Sequence, residues 1–452
     1  MDKKPLTAHR QTQPLKGHIR LPGDKSQSHR ALMLAALAHG TTHIHGLLQG
    51  ADVLATAQAL KSCGVSITYE DENKCWMVIG QGTSGLSAPQ QDLDFGNAGT
   101  GVRLMMGLLS GVGVAARFTG DISLSARPMQ RITDPLAQMG VMIESSHKEI
   151  TLPLRLTPPP QLLPLDYTPP QASAQVKAAI LLAGLGAAGT TIIREAHPTR
   201  DHSENMLRLF GAAIETRIEE EHHIITLQGH PQLIAPFPTH ADPLQIAGDP
   251  SSAAFAMVAA LLVPHSDIVL ENMMLNPHRD GLMRILQKMG ATIDITNPRQ
   301  QAGERVGDIR VRHSPLHGIT IGADAVAAMI DEYPALAIAA AHAQGETYMQ
   351  GLAELRVKES DRLAAIIAGL NANGVATQSN HKDDLRIFGA PEKNNIKGGA
   401  MVATHHDHRI AMAFLVLGLV AQNPVQIDDA TMIATSYPDF TSDMAKLGVR
   451  FV

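Results

Sequence analysis

A cluster of cationic and hydroxyl side chains stands near the start of the chain, directly before an apolar run. The segment "GDKSQSHR" places Lys25, Ser26, His29 and Arg30 within six positions, and "ALMLAALA" follows it. The N-terminus of a helix offers unpaired N–H groups and a partial positive charge, and nearby cationic side chains add to that charge. The segment therefore predicts a binding site for a small anion at the start of a helix.

Five further apolar helices are predicted, and each has a polar start. These starts read "GNAGTGVR", "ASAQVK", "GDPSSAA", "DEYPA" and "DHRIAM". Cationic side chains at the six starts are Lys25, Arg30, Arg103, Lys177 and Arg409. Arg127 lies in "SARPMQR", and "RVKESDR" contributes Lys358, Glu359, Asp361 and Arg362, where Lys358 and Arg362 share one face if the segment is helical. The set indicates a site for more than one anionic group.

Other chemistries have weaker support. A P-loop requires Gly directly before Lys, and Asp24 stands there instead. His405 and His406 would diverge on a helix, and no H-E-x-x-H motif occurs, so no metal site is expected. No G-x-S-x-G motif supports Ser-His-Asp hydrolysis. His43 and His45 alternate along a predicted strand and share one of its faces.

Composition limits the class of protein and its partners. The 452 residues, 44% of them apolar, can fill at least two cores, so two large domains are expected. A net charge of −6 argues against a nucleic-acid partner. Cys63 and Cys75 have no metal-like or redox-like spacing, which suits a reducing compartment. Apolar runs such as "IAMAFLVLGLVA" fall short of the roughly 18 residues that span a bilayer. We therefore expect a cytoplasmic protein without a membrane partner.

A weak sixfold repeat organises the chain. Each repeat has a Gly after its second helix, 71 to 84 residues from the next one, at Gly64, Gly140, Gly211, Gly290, Gly374 and Gly448. Within a repeat, a helix that is apolar on all sides precedes an amphipathic helix, which predicts one buried and one outer helix. The predicted order is β-α-β-α-β-β, six times, in two groups of three. Taken alone, "GNAGTG" is typical of a turn and "VKESDR" of a solvated helix face. Their occurrence together with the other polar segments at equivalent positions of the repeat favours a functional role.

Seven ordered motifs resemble the 5-enolpyruvylshikimate-3-phosphate synthase (3-phosphoshikimate 1-carboxyvinyltransferase) family of enolpyruvyl transferases. They are "PGDKSQSHRA", "GNAGTGVR", "GDISLSARPM", "ASAQVKAAILLAGL", "GDPSSAAF", "ELRVKESDRL" and "DHRIAMAF". The resemblance implies an α/β fold, a two-domain inside-out α/β barrel with buried helices. Residues 21–242 would form one domain, residues 1–20 and 243–452 the other, and the active site would lie in the cleft between them. The predicted domain crossing lies in "PFPTHADPLQIAGD" at 236–249.

The resemblance also implies the reaction and its residues. The enolpyruvyl group of phosphoenolpyruvate passes to the 5-hydroxyl of shikimate 3-phosphate, phosphate is released, and neither a metal nor an organic cofactor is required. Asp331 is the expected base, Glu359 the expected acid, and Lys25 a proton relay. Residues implied for phosphoenolpyruvate are Lys25, Asn97, Gly99, Arg127, Gln175, Arg362 and Arg409. Residues implied for shikimate 3-phosphate are Lys25, Ser26, Arg30, Ser173, Ala174, Gln175, Arg200, Asp331 and Lys358. The protein is expected to be a monomer.

Two positions depart from the pattern of many members, and one bears on inhibition. Ala174 stands where many carry Ser, and Thr435 where many carry Lys, as in the branch that includes herbicide-insensitive bacterial enzymes. Insensitive relatives carry Ala where this chain has Gly99, so inhibition by glyphosate is expected here.

Two alternative functions have less support. A UDP-N-acetylglucosamine enolpyruvyl transferase has Lys-Asn where this chain has Lys25-Ser26, and a reactive Cys on the loop that here reads "GDISLSARPM". A relative that processes RNA ends would lack the paired acid and base.

Overall fold

The computed structural model describes residues 3–145, 149–380, 382–389 and 396–452. The chain divides into two compact units. The first unit comprises Gly23–Ile246 and Gln301–Glu304, and the second comprises Met1–Pro22, Ala247–Gln300 and Arg305–Val452. Among the described residues, no helix is long and apolar enough to cross a membrane.

Both units are built from buried helices inside sheets. The helices of the first unit are α1 (Lys25–Leu37), α2 (Ala51–Ser62), α3 (Gly99–Gly111), α4 (Ile122–Ser125), α5 (Gln130–Gln138), α6 (Ala174–Gly184) and α7 (His202–Leu209). Those of the second unit are α8 (Pro250–Leu262), α9 (Gly281–Lys288), α10 (Val326–Met329), α11 (Tyr333–His342), α12 (Arg362–Ala372), α13 (His408–Gly418) and α14 (Phe440–Lys446). The 3₁₀ helices among the described residues of the second unit are Ala323–Ala325, Leu352–Val357 and Thr431–Thr435.

The first helix of every repeat is buried along most of its length, as its apolar sequence predicts. Small residues let two of these helices touch in the first unit. A Cβ atom at Gly107 of α3 would lie 2.2 Å from the carbonyl oxygen of Ala179 of α6, so this contact requires glycine. The glycines after the second helices have φ between +85° and +102°, a left-handed conformation that ends a helix.

The strands form small sheets around these helices. In chain order the first fourteen are β1 (Leu6–Ala8), β2 (Lys16–Arg20), β3 (His39–His45), β4 (Ser66–Glu70), β5 (Cys75–Gln81), β6 (Leu93–Asp94), β7 (Ala116–Thr119), β8 (Met142–Ser145), β9 (Leu154–Thr157), β10 (Asp166–Tyr167), β11 (Thr190–Glu195), β12 (Ile214–Glu219), β13 (His222–Gln228) and β14 (Leu244–Gln245). The others are β15 (Asp267–Met274), β16 (Thr292–Gln301), β17 (Glu304–Arg312), β18 (Thr320–Ile321), β19 (Gly345–Gln350), β20 (Ala376–Gln378), β21 (Asp384–Gly389), β22 (Met401–Val402) and β23 (Val425–Ile427).

The four-stranded sheets follow one scheme, but two of them take a strand from outside their own repeat. Four-stranded sheets such as β6-β7-β9-β8 and β10-β11-β13-β12 combine one parallel pair with two antiparallel pairs. The chain order of the repeats places β2 in the first repeat and β14 in the fourth. Instead β14 pairs with β3, and β2 pairs with β15, because each strand stays in the unit that the chain is about to leave.

The sixth repeat departs from the predicted β-α-β-α-β-β order. Its sheet has three strands among the described residues, β1-β23-β22, and β1 comes from the N-terminal segment. The prediction of six complete repeats is therefore wrong for the sixth, in which a distant strand replaces the final hairpin. The α/β fold class with buried helices is confirmed.

Candidate active site

Two arginine side chains border Gly99 at the start of α3, and each contacts a further polar side chain. A Cβ atom at Gly99 would lie 3.0 Å from Nη1 of both Arg103 and Arg127, so both guanidinium groups border this glycine. Nη2 of Arg127 donates to Oδ1 of Asn97 at 2.6 Å, and Nη1 of Arg103 donates to Oε1 of Gln175 at 3.2 Å. Two cations beside a helix start suit a carboxylate or a phosphate.

The start of α3 differs from those of α1 and α6. The N-cap of α3 is Ala98, whose methyl group cannot accept a hydrogen bond from the first helical N–H groups. Asp24 accepts from the N–H of Gln27 in α1, and Ser173 accepts from the N–H of Val176 in α6. The N–H groups of α3 are therefore the ones that an anion can best satisfy.

Lys25 and Arg30 lie on the first two turns of α1, next to Ser26, which is half-buried. Nζ of Lys25 donates to Oδ2 of Asp52 at 3.0 Å. Nε of Arg30 donates to Oγ of Ser203 at 2.7 Å, and its Nη1 donates to the carbonyl oxygen of Ser26 at 2.8 Å. Burial lowers the pKa of Arg30 to about 10, which leaves it cationic at neutral pH.

The third repeat contributes the start of α6 and the segment before α7. Ser173 and Ala174 are half-buried at the start of α6, and Nε2 of Gln175 donates to Oγ1 of Thr100 at 3.0 Å. Gln175 therefore bridges α6 and α3. Arg200 is half-buried two residues before α7 begins.

The expectation that Lys177 contributes to an anion site is wrong. Its side chain is 1% exposed, and Nζ lies 2.9 Å from Oε2 of Glu195 and 2.7 Å from Oε1 of Glu204. Burial alone would lower the pKa of Lys177, but the two carboxylates outweigh it and raise that pKa. Two acids thus neutralise a cation that the sequence places at a helix start.

In the second unit, Arg362 lies among three carboxylates. Nε donates to Oδ2 of Asp407 at 2.8 Å, Nη1 donates to Oδ1 of Asp331 at 3.2 Å, and Nη2 donates to Oε2 of Glu359. The side chain is fully buried, which would lower its pKa, and the carboxylates of Asp407, Glu359 and Asp331 raise it instead. Arg362 therefore brings the predicted acid and the predicted base to one guanidinium group.

Lys358 and Arg409 complete this group. Nζ of Lys358 lies 3.9 Å from Oδ1 of Asp331, and Nη1 of Arg409 donates to the carbonyl oxygen of Asp331 at 3.3 Å. The helical alignment considered for Lys358 and Arg362 is wrong, because a 3₁₀ helix ends at Val357 and α12 begins at Arg362 with Asp361 as its N-cap. The turn between them lets both cations reach Asp331.

Two acids were missed as site residues. Asp52 binds Lys25, and the fully buried Asp407 accepts from Nε of Arg362, from Oγ of Ser360 and from the N–H of Arg409. The sequence signal for Asp407 is its place before a buried helix, which matches Asp24 in "GDKS". Nothing in the local sequence marks Asp52 as the partner of Lys25.

The histidines behave differently from a metal motif. His405 and His406 lie in a turn with positive φ before α13, so they are not on a helix. Oγ1 of Thr435 lies 3.4 Å from Nδ1 of His408. A separate set, Asp201, His202 and Glu304, offers ligand atoms within 4.8 Å of one another, and Nδ1 of His202 lies 2.8 Å from Oε1 of Glu304.

Comparison with known proteins defines the class. A family model described as "EPSP synthase (3-phosphoshikimate 1-carboxyvinyltransferase)" matches residues 9–444. A 3-phosphoshikimate 1-carboxyvinyltransferase of Methylobacterium sp. is 53% identical over 99% of this chain and 98% of the relative, and one of Chelativorans sp. is 51% identical over 98% and 96%. The solved EPSP synthase of Acinetobacter baumannii is similar with a TM-score of 0.87 and 42% identity, covering 99% of each chain.

The chain is thus an enolpyruvyl transferase. It belongs to the EPSP synthase (3-phosphoshikimate 1-carboxyvinyltransferase) family. Its reaction is the transfer of the enolpyruvyl group to shikimate 3-phosphate, and this reading is favoured over transfer to a sugar nucleotide.

Proposed function

We propose that this reaction uses the two residue groups described above in separate roles. The first unit supplies most of the groups that bind the anionic parts of the substrates, and the second unit supplies the acid and the base together with further cations. The observation that supports this division is the contact of Arg362 with both Asp331 and Glu359. One guanidinium group thereby sets the distance between an acid and a base.

Arg127, Asn97 and the start of α3 at Gly99 are proposed to bind phosphoenolpyruvate, with Lys25, Gln175 and Arg409 completing its site. Nη1 of Arg127 and Nη1 of Arg103 would each lie 3.0 Å from a Cβ atom at Gly99. Planar guanidinium groups donate two parallel hydrogen bonds to a carboxylate or phosphate, which fixes the orientation of the substrate.

Shikimate 3-phosphate is proposed to bind Ser26, Arg30, Arg200 and the start of α6. The hydroxyl of Ser173, the methyl of Ala174 and the amide of Gln175 stand there in sequence. Lys25, Asp331 and Lys358 would contact its hydroxyl groups, so that Asp331 can accept the proton of the 5-hydroxyl.

Proton transfer is proposed to run between Asp331 and Glu359. Asp331 takes the proton of the 5-hydroxyl while that oxygen bonds to C2 of phosphoenolpyruvate, and Glu359 protonates C3. The tetrahedral intermediate then loses a proton from C3 as the bond between C2 and the phosphate oxygen breaks. Lys25, held by Asp52, is placed to stabilise the charge on the departing phosphate and to relay a proton.

Arg362 is proposed to link substrate binding to the acid. An anionic substrate that binds this guanidinium group competes with Glu359 for it. A carboxylate that loses its cationic partner binds a proton more readily, because the partner favours the charged form. Phosphoenolpyruvate would thereby convert Glu359 from an ion-pair partner into a proton donor.

Because the reaction needs both residue groups at one substrate pair, the two units are proposed to close on the substrates in a shared cleft, in a monomeric cytoplasmic enzyme. Small-angle scattering should show a smaller radius of gyration when shikimate 3-phosphate and glyphosate are added. Identical profiles with and without these ligands would contradict closure.

The direct experiment measures phosphate release from phosphoenolpyruvate. Release should depend on shikimate 3-phosphate and should not occur with UDP-N-acetylglucosamine in its place. Release with the sugar nucleotide, or release that needs neither acceptor, would contradict the proposed function.

A further inference from the structure

Thr199 has all three of its polar groups bound to one buried ion pair. Its Oγ1 donates to Oε1 of Glu195 at 2.5 Å, its N–H donates to Oε2 of Glu195 at 3.4 Å, and its carbonyl oxygen accepts from Nζ of Lys177 at 3.3 Å. Thr199 is 8% exposed, Glu195 5% and Lys177 1%. Hydrogen bonds to charged groups in such surroundings are among the strongest in proteins.

The ion pair is itself anchored in rigid elements. Lys177 lies in the first turn of α6, and Glu195 is the last residue of β11. Burial raises the pKa of Glu204, the other carboxylate beside Lys177.

The segment 196–201 connects β11 to α7, and Arg200 lies in it directly after Thr199. His197 is exposed and Pro198 half-buried, so the preceding part of the segment has little packing. Beyond Arg200, α7 is attached by the hydrogen bond from Arg30 to Ser203, by the ion pair of Glu204 with Lys177 and by the contact of His202 with Glu304. Thr199 is thus the buried anchor on the N-terminal side of Arg200.

We propose that Thr199 is a positioning residue for shikimate 3-phosphate: the Glu195–Lys177 ion pair fixes its backbone and hydroxyl, and this sets the position of the Arg200 guanidinium. The inference rests on the proposed function, in which Arg200 binds the phosphate. The same lysine lies two residues after Gln175, so one ion pair relates Arg200 to the start of α6, where the other proposed ligands of this substrate lie.

The test removes the hydroxyl and follows the KM for each substrate. Thr199→Val keeps the shape of the side chain and loses the hydrogen bond to Glu195. We expect the KM for shikimate 3-phosphate to rise about tenfold, with the KM for phosphoenolpyruvate and kcat within about twofold of the wild type. Thr199→Ser should restore the wild-type KM. Should Thr199→Val not fold, Thr199→Ala is measured in the same way.

A matched control comes from the same unit. Thr191 of β11 is fully buried, and within the described part of the chain its hydroxyl has no hydrogen-bond partner. Thr191→Val should leave both KM values unchanged. A role of Thr199 in stability alone would change the melting temperature without the selective change in KM.

A double-mutant cycle separates this inference from the proposed function. Arg200→Ala alone should raise the KM for shikimate 3-phosphate, and adding Thr199→Val should then change it by less than about twofold, because both changes remove the same interaction. If the two effects multiply, or if Thr199→Val alone has no effect, Thr199 does not act through Arg200. If Arg200→Ala has no effect, the assignment of Arg200 to the phosphate fails, and the inference fails with it.

Discussion

Gly99→Ala tests the placement of phosphoenolpyruvate at the start of α3. The added methyl carbon would lie 3.0 Å from Nη1 of Arg103 and of Arg127, and 3.7 Å from Cδ1 of Leu124. Leu124 accommodates the methyl group at an ordinary contact distance. The two guanidinium groups must each move by a few tenths of an ångström.

The cost of this movement follows from what holds the guanidinium groups. Arg127 donates to Asn97 at 2.6 Å and to Ser123 at 3.3 Å, and Arg103 donates to Gln175 at 3.2 Å. Overpacking of this kind typically costs about 1–3 kcal/mol, and about 1.4 kcal/mol corresponds to a factor of ten in affinity. We therefore expect the KM for phosphoenolpyruvate to rise about tenfold, with little change in the KM for shikimate 3-phosphate.

The effect on glyphosate should be larger. We expect glyphosate to inhibit the wild type competitively with phosphoenolpyruvate. Its phosphonate and carboxylate stand further apart than the corresponding groups of the substrate, so the longer molecule has less freedom to avoid the methyl group. The assay compares the inhibition constant with the KM for phosphoenolpyruvate, at saturating shikimate 3-phosphate, in both forms.

The matched control is Gly101→Ala, two residues along the same helix. There the methyl carbon would lie 2.6 Å from Oγ1 of Thr56 and 3.2 Å from Cδ1 of Phe95, in the core. This variant should lower the melting temperature and leave the ratio of inhibition constant to KM unchanged. Equal inhibition constants and equal KM values for Gly99→Ala and wild type would refute the placement of the substrate beside Arg127.

Three further predictions concern the acid, a substrate cation and pH. Glu359→Gln should retain substrate binding and lose turnover by orders of magnitude, because an amide cannot protonate carbon. The control Glu354→Gln, in the preceding 3₁₀ helix, should remain active. Near-wild-type turnover of Glu359→Gln would exclude Glu359 as the acid. Arg127→Ala should mainly raise the KM for phosphoenolpyruvate. The control Arg131→Ala, on the exposed side of α5, should leave this KM unchanged. An unchanged KM for Arg127→Ala would show that Arg127 is not part of the site. Burial, with the charges of Lys25 and Arg30, lowers the pKa of His29 to about 3. In the unfolded chain this histidine has its ordinary pKa of about 6.5, so the unfolded state binds a proton before the folded state does as the pH falls. Protonation of His29 should therefore lower the free energy of unfolding by about 2 kcal/mol between pH 7 and pH 5, which urea titrations at the two pH values would measure. His29→Asn should reduce this loss, and an equal loss in both forms would contradict it.

The sequence predicted the repeated elements because their signals are local. Apolar helices, outer helices and the glycines after them follow from periodicity and from φ values that suit glycine. The pairing of β2 with β15 and of β14 with β3 could not be predicted in this way, because strand pairing depends on where the chain passes from one unit to the other. The same holds for β1, which joins the sheet of the sixth repeat.

For a related reason, the sequence predicted the cations of the site better than the carboxylates that lie beside them. Residue type and motif indicate cations, but they do not show which carboxylate lies beside each one. Lys177 and Lys25 both stand at the start of a buried helix, yet Lys177 is enclosed by Glu195 and Glu204, which lie 18 and 27 residues away in sequence. Asp52 beside Lys25 is equally distant in sequence. Such contacts arise from tertiary packing alone.

Three repeats carry an arginine at a similar place, and the N-cap residue of their buried helices differs. Arg127, Arg200 and Arg279 each lie two or three residues before the second helix of a repeat. Arg279 is buried, and its Nη2 donates to Oδ1 of Asp249, the N-cap of α8, at 2.9 Å.

The first helices of the repeats that contain the other two arginines have Ala98 and Ser173 as N-caps, which carry no charge. At α8 the carboxylate of Asp249 accepts from a helical N–H and neutralises Arg279, so neither group is left to attract an anion. At α3 the uncharged Ala98 leaves a positive helix start beside Arg127. The pair of Asp249 and Arg279 therefore stabilises the fold, whereas Arg127 beside an uncharged N-cap is suited to bind a substrate.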